Sequence, residues 1–237
     1  MIAPAELASL ARCGPAAALP WPLPLADLVP SARAWELEVG FGKGRYLLAR
    51  AQAEPERGFV GIEVAGEYFR AVARRVARRR LGNVVLLRGE ALYLLATALP
   101  PAFAEAVHVY FPDPWPKAHH HRRRLLSPAA LDLVTRALAP GGRILFATDH
   151  AGYGAEIEEL LAGARGLAVR RWPEGWPGGP RTNYEEKYVA EGRPILRLEL
   201  ALEDERALAP HPRGLAALAV APAPAPEPAP EPARAAG

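Results

Sequence analysis

Residues 35–44 read WELEVGFGKG. An apolar, alternating run meets glycine at every second position, Gly40, Gly42 and Gly44, which predicts a strand ending in a tight turn that feeds a helix. Glycine lets the backbone approach a ligand and lets the next helix start close to the sheet. The dinucleotide fingerprint G-x-G-x-x-G would need glycine where Arg45 stands, so the spacing is G-x-G-x-G instead. Glu38 lies two residues ahead of it. A carboxylate there suits hydrogen bonds from an ammonium group and would repel a phosphate, so the turn predicts a cationic ligand.

Outward from this turn, strands and helices alternate. A helix runs through about Ala53; GFVGIEV (58–64) is a second strand, followed by a long helix from Gly66 to Arg80. VVLLR (84–88), with a short helix after it, and EAVHVYF (105–111) are the third and fourth strands. A helix from Pro128 to Leu138 leads through Ala-Pro-Gly-Gly to RILFATD (143–149), another helix lies near 153–163, and LAVRRW and YVAEGRPILRLEL follow. Repeated β-α units imply a mostly parallel sheet covered on both faces. No helix is evident between the last two strands, which predicts an antiparallel pair at one edge. Ligands then bind beyond the carboxyl ends of the strands, near the switch point.

The chain has 237 residues and one cysteine, Cys13, which excludes an internal disulfide framework and fits a reducing compartment. No apolar run reaches membrane-spanning length and the start lacks a signal-peptide pattern, so a cytoplasmic protein with no membrane partner is expected. Residues 1–34, rich in alanine and proline, read as an extended arm, 35–205 as the folded domain, and 206–237 as an Ala/Pro/Glu-rich tail without a core. Residues 1–34 are neutral and 203–237 carry five acids and three arginines, so the net +3 leaves an excess of five positive charges in the centre. A polyanionic partner follows. Of the 29 basic residues only Lys43, Lys117 and Lys187 are lysine, and each falls in a segment singled out here.

After the fourth strand the chain reads YFPDPWPKAHHHRRRLL (110–126). Three prolines make this a loop that holds Asp113 and Trp115 rigidly. A carboxylate accepts hydrogen bonds from the adjacent N–H groups of a guanine, and an indole either stacks on a base or anchors the loop. Adjacent His119 to His121 cannot easily converge on one ion, and no Cys or carboxylate follows at ligand spacing, so no metal is expected. With Arg122 to Arg124 the run reads as a phosphate-contacting edge. Arg70, Arg74 and Arg78, opposite the apolar Phe69, Val72 and Val76, read as the wet face of an amphipathic helix.

S-adenosylmethionine, with an ammonium, a sulfonium and no phosphate, suits the turn; Glu63 would take its ribose hydroxyls and Glu90 the adenine side, or the two are only exposed acids at strand ends. The segments LEVGFGKG (37–44), GIEV (61–64), YFPDPWPK with its basic continuation (110–124), ATDHAGY (147–153) and TNYEEKYVAEGRPILRLEL (182–200) together resemble the bacterial tRNA (guanine-N7-)-methyltransferases of the TrmB type. The resemblance implies a class I S-adenosylmethionine-dependent methyltransferase fold, Rossmann-like, with a seven-stranded α/β sheet. It implies methylation of N7 of guanosine 46 in the variable loop of tRNA. Glu38, Glu63, Glu90 and Asp113 match the family's donor-binding acids, with Gly40, Gly42 and Gly44 in the donor turn, and Asp113 also matches the catalytic residue. Lys117, Asp149, Thr182, Asn183, Tyr184 and Glu185 match positions associated with the RNA. The chain departs from the family at Ala118 and His119, at Glu90 where an aspartate is usual, and at His150 where tryptophan is common.

Asp113-Pro114-Trp115 is also close to the Asp-Pro-Pro-aromatic loop that grips an amino group, though the aromatic comes one residue early. An exocyclic-amine N-methyltransferase acting on RNA is therefore the alternative, and a non-catalytic RNA-binding module a further rival; Arg45 argues against a dinucleotide-dependent oxidoreductase. Monomer and homodimer both remain open.

Overall fold

The computed structural model describes residues 22–114, 125–163 and 166–202. Lys117, Trp115, the His119–Arg124 run and the tail 206–237 lie outside them. A single helical turn, α1 (Leu25–Leu28), precedes β1 (Ala34–Val39), α2 (Arg45–Ala53), β2 (Arg57–Glu63), α3 (Gly66–Arg79), β3 (Val84–Arg88), α4 (Ala91–Thr97) and β4 (Ala104–Tyr110). Then follow α5 (Pro128–Ala137), β5 (Leu138–Thr148), α6 (Ala151–Ala162), β6 (Leu167–Arg171), α7 (Asn183–Ala190) and β7 (Leu196–Leu202).

The strands form one sheet in the order β3-β2-β1-β4-β5-β7-β6. Pairings from β3 to β5 are parallel, and β7 runs antiparallel to both β5 and β6. The fold class and its antiparallel edge are therefore those read from the sequence. The chain winds one way from β1 to β3 and the other way from β4 onward. The switch point falls between β1 and β4, where sheets of this kind form a ligand crevice at the strands' carboxyl ends.

Strand alternation sorts the core into two layers. Leu37, Val39, Val60, Ile62, Val107, Val109, Ile144 and Phe146 face α1, α4, α5 and α6. Phe59, Val84 and Leu86 face Leu47 and Leu48 of α2 and Phe69, Val72 and Val76 of α3. Each such side chain, fully buried, contributes about 1.5–3 kcal/mol. On this second face Tyr46 of α2 lies against His108 of β4, ring centroids 4.5 Å apart, and Trp176, from the loop after β6, packs on Ala106, Tyr110, Leu145 and Ala147.

Three expectations need correction. The folded domain does not begin at 35. Leu23, Leu25, Leu28 and Val29 are buried in the main core, and the Leu23 N–H donates to the Ala98 carbonyl at 2.8 Å. Leucines set between prolines give this segment an apolar side, and burying it outweighs its low helix propensity. A helix, α7, does lie between the last two strands. Thr182 caps it, accepting from the Glu185 N–H at 3.0 Å, and Thr-x-x-Glu is a capping-box spacing that marks the start. Finally, β5 starts at Leu138, opposite Ala104, and a register shift then brings Arg143 opposite Ala106, so the Pro-Gly-Gly stretch is a bulge within a strand.

Candidate active site

The turn after β1 lies at the switch point. Gly40, Gly42 and Gly44 have φ of 73°, 49° and 66°, a left-handed backbone that side chains strain to adopt. Gly44 is the N-cap of α2, and a Cβ there would come within 2.8 Å of Val72; a Cβ on Gly40 would meet nothing within 4 Å. The first pattern sets the helix close to α3. The second leaves open space above the turn.

Glu63, at the end of β2, accepts hydrogen bonds from the Gly42 N–H and the Ala65 N–H, both at 2.8 Å. Its carboxylate thus ties the glycine turn to the start of α3. Lone pairs beyond those two bonds remain for a ligand's hydroxyls.

Glu38 is 4% exposed, and its Oε2 has no hydrogen-bond partner. Burial pushes its carboxyl up to about 8; a hydrogen bond from the Leu47 backbone N–H opposes this, and the neighbouring acids Glu63 and Glu36 add to it. An unpaired buried carboxyl is costly unless something cationic completes it. That is the requirement the sequence pattern raised.

Glu36, two residues earlier on the same face, has the opposite fate. Burial would raise it, but the His108 hydrogen bond and the Arg50 guanidinium outweigh that and hold it at about 2. His108 Nε2 lies 3.1 Å from Glu36, and its Nδ1 lies 2.9 Å from the Tyr110 hydroxyl. Burial pushes the imidazole below its usual range, so it is neutral at pH 7. The network assigns the proton to Nε2, which donates to Glu36, while Nδ1 accepts from Tyr110. Arg181 completes the chain by donating to the Tyr110 oxygen, with its guanidinium 4.3 Å over the Trp176 ring. A buried polar line therefore runs from the middle of the sheet to the residue just ahead of α7's N-cap. The sequence reading missed all of it, because nothing local distinguishes Glu36 or His108 from exposed polar residues.

On the other side of the crevice, Phe111 has φ of 50°, and its N–H donates to the Ala147 carbonyl at 2.7 Å. This left-handed backbone on a bulky residue costs on the order of 1–3 kcal/mol and persists because the surroundings enforce it. Phe111 packs edge-on to Tyr188 of α7, ring centroids 5.5 Å apart. The sharp turn brings Asp113 out into solvent at the carboxyl end of β4.

The remaining predicted residues divide. Glu90 is exposed and caps α4, accepting from the Tyr93 N–H at 2.7 Å. His150, a departure from the family pattern, caps α6 through Nδ1, which accepts from the Tyr153 N–H. Asp149 is half-buried and pairs with Arg193 at 3.5 Å. Asn183 and Tyr184 are exposed on the first turn of α7. Glu185 instead points inward: its carboxylate accepts from Arg197 Nε at 2.6 Å and from the Arg181 N–H at 2.8 Å. Arg45, just past the glycine turn, pairs with Glu186, which latches α7 across the donor side of the crevice.

Comparison with known proteins agrees with this geometry. The 16S rRNA methyltransferase KamB superposes with a TM-score of 0.56 at 20% identity, over 75% of this chain and 92% of that one. A 16S rRNA (adenine(1408)-N(1))-methyltransferase solved with its cosubstrate SAM gives 0.54 at 21% identity, over 77% and 91%. These likenesses show the fold, that of the class I methyltransferases. A family profile described as "Putative methyltransferase" matches residues 32–198. The tRNA (guanine-N(7)-)-methyltransferase of Treponema pallidum (strain Nichols) is 38% identical over 193 residues, covering 79% of this chain and 76% of the relative. That of Nitrosococcus oceani is 36% identical over 174 residues, covering 73% and 74%. The chain belongs to the tRNA (guanine-N(7)-)-methyltransferase family.

Proposed function

We propose that this chain transfers a methyl group from S-adenosylmethionine to N7 of guanosine 46 in the variable loop of tRNA, in the cytoplasm. The observation that carries the reading is the buried carboxyl of Glu38, whose Oε2 has no partner, beside an open glycine turn, a site built for a cation. Family membership supplies the substrate class.

The donor, when bound, supplies an electrophilic methyl group on a sulfonium. Glu38 takes its ammonium group, Glu63 its ribose hydroxyls, and Glu90 lies toward the adenine. N7 of guanine carries a lone pair and no proton, so no strong general base is required. Catalysis rests on placing the base and on groups that complement the charge it gains. Asp113 accepts from the guanine N–H groups, orients the ring and favours the cationic product; it also borders the donor. Lys117, Asp149, Asn183 and Tyr184 contact the RNA. Thr182 and Glu185 serve the same end by fixing the first turn of α7. The test is labelled donor with unmodified tRNA, followed by mapping of the methylated base. A label on an exocyclic amine, or on no base, would overturn the reading.

A further inference from the structure

Outside α3 and its C-cap, eight of the twelve described arginines pair with acids. Arg33 pairs with Glu56 at 3.4 Å, Arg57 with Glu54 at 2.8 Å, Arg171 with Glu158 at 2.6 Å and Arg193 with Asp149 at 3.5 Å. Helix α3 and its C-cap break this habit. Arg70, Arg74, Arg78, Arg79 and Arg80 are exposed, and among the described residues none forms an ion pair. The helix has a single acid, Glu67. Arg70 and Arg88 even converge: a Cβ on Gly66 would lie 3.0 Å from Arg70 Nη1 and 2.9 Å from Arg88 Nη2. Among the described residues neither of these two like charges forms an ion pair.

We propose that this arginine face of α3 is a second RNA-binding surface, which holds the tRNA backbone outside the catalytic crevice. The inference rests on the function proposed above for its choice of polyanion. Three observations combine. The buried side of α3, with Phe69, Val72 and Val76, already anchors the helix, so the arginines are not needed for packing. Arg70, Arg74 and Arg78 recur every four residues and lie in one row, rising about 6 Å per step along the helix. The helix begins three residues after Glu63, so the row starts about one turn in from the proposed donor rim and leads away from it over about 12 Å. A tRNA docked with one base in the crevice extends well beyond it, and its phosphates need cations there. Guanidinium groups meet phosphates with two donors each, and an arginine without an acid partner sacrifices no ion pair in doing so.

The test uses the full chain and an unmodified tRNA transcript. Arg70→Gln/Arg74→Gln/Arg78→Gln should lower the slope of log affinity against log salt by about two to three, since each lost phosphate contact removes just under one. KM for tRNA should rise at least tenfold, while kcat at saturating tRNA, donor affinity and melting temperature stay as in the unsubstituted chain. Arg33→Gln/Arg171→Gln, which removes two paired arginines elsewhere, should leave the slope unchanged. An unaltered slope in the triple variant, or an equal drop in the control, would overturn the inference. So would loss of binding to phosphatidylglycerol vesicles with the tRNA slope intact, which would assign the face to a lipid surface. If the unsubstituted chain bound tRNA with this slope but methylated nothing, the binding surface would stand and the proposed function would fail.

Discussion

Glu38 and His108 sit opposite each other in the β1–β4 ladder, yet the imidazole is bonded to Glu36 and Tyr110, and the Glu38 Oε2 has no partner. The imidazole is thus taken up by Glu36, which leaves Glu38 free for the proposed donor.

Glu38→Gln should weaken donor binding by about 1.5–3 kcal/mol, the worth of a charge-assisted contact. The amide replaces a buried acid whose Oε2 has no partner, so the free protein should be no less stable. Calorimetric titration with S-adenosylmethionine and a melting curve check both halves. Unchanged affinity would remove Glu38 from the donor site.

Donor binding should also release a proton. In the free protein Glu38 titrates at about 8, raised from 4.5, so it is protonated at pH 7. A cationic ligand needs the carboxylate, so affinity should climb as pH rises from 6 toward 8. It should flatten above that, where the ligand's own amino group loses its proton. The sign for folding is opposite. A raised carboxyl contributes stability that is complete below about 4.5 and is lost as pH rises through about 8, so this group makes the ligand-free protein less stable across that window. Titrations in buffers of different ionisation enthalpy count the proton, and the count should vanish in Glu38→Gln.

Asp113→Asn keeps the side chain's shape but presents an N–H where guanine needs an acceptor, and removes the charge that complements the product. Turnover should fall on the order of a hundredfold, as for loss of one preorganised electrostatic contact. Binding of tRNA should fall far less. Single-turnover methylation beside a binding titration separates the two, and normal turnover at saturating substrates would reduce the proline-flanked loop to a brace.

Glu185→Ala leaves Arg197 buried and uncompensated and frees the Arg181 N–H. With the two side chains 1% and 7% exposed, the loss should be about 3–5 kcal/mol. Denaturant titration would show it as a shifted midpoint. A change confined to RNA affinity, with stability intact, would contradict the inward placement of this carboxylate.

Much of this site was legible. The glycine turn, its acid, and the loop at Asp113 are short local patterns, and the strands were found within a few residues except at β5, which starts earlier, and β7, whose reading from Tyr188 ran over the end of α7. Two failures were avoidable in principle. Thr182-x-x-Glu185 carries a capping-box signal for α7, and the leucines at 23, 25 and 28 carry an apolar periodicity under their prolines. Glu185 is different. It reads as one more polar residue in an RNA-contacting segment, and only its burial against Arg197 shows that it acts by holding α7.

Glu36 and Glu38 mark the boundary between the two kinds of knowledge. The sequence alone determines that both stand on β1, on the same face, ahead of a turn that approaches a ligand, because period-two alternation and glycine conformation are local properties of the chain. It says nothing of why one carboxyl is held at about 2 and the other pushed to about 8. That is decided by partners brought in from elsewhere: His108, 72 residues further along the chain, and Arg50 complete Glu36, while Glu38 receives burial and the repulsion of Glu63. A carboxyl's charge depends on the dielectric and the groups around it, and those exist only once the sheet is assembled.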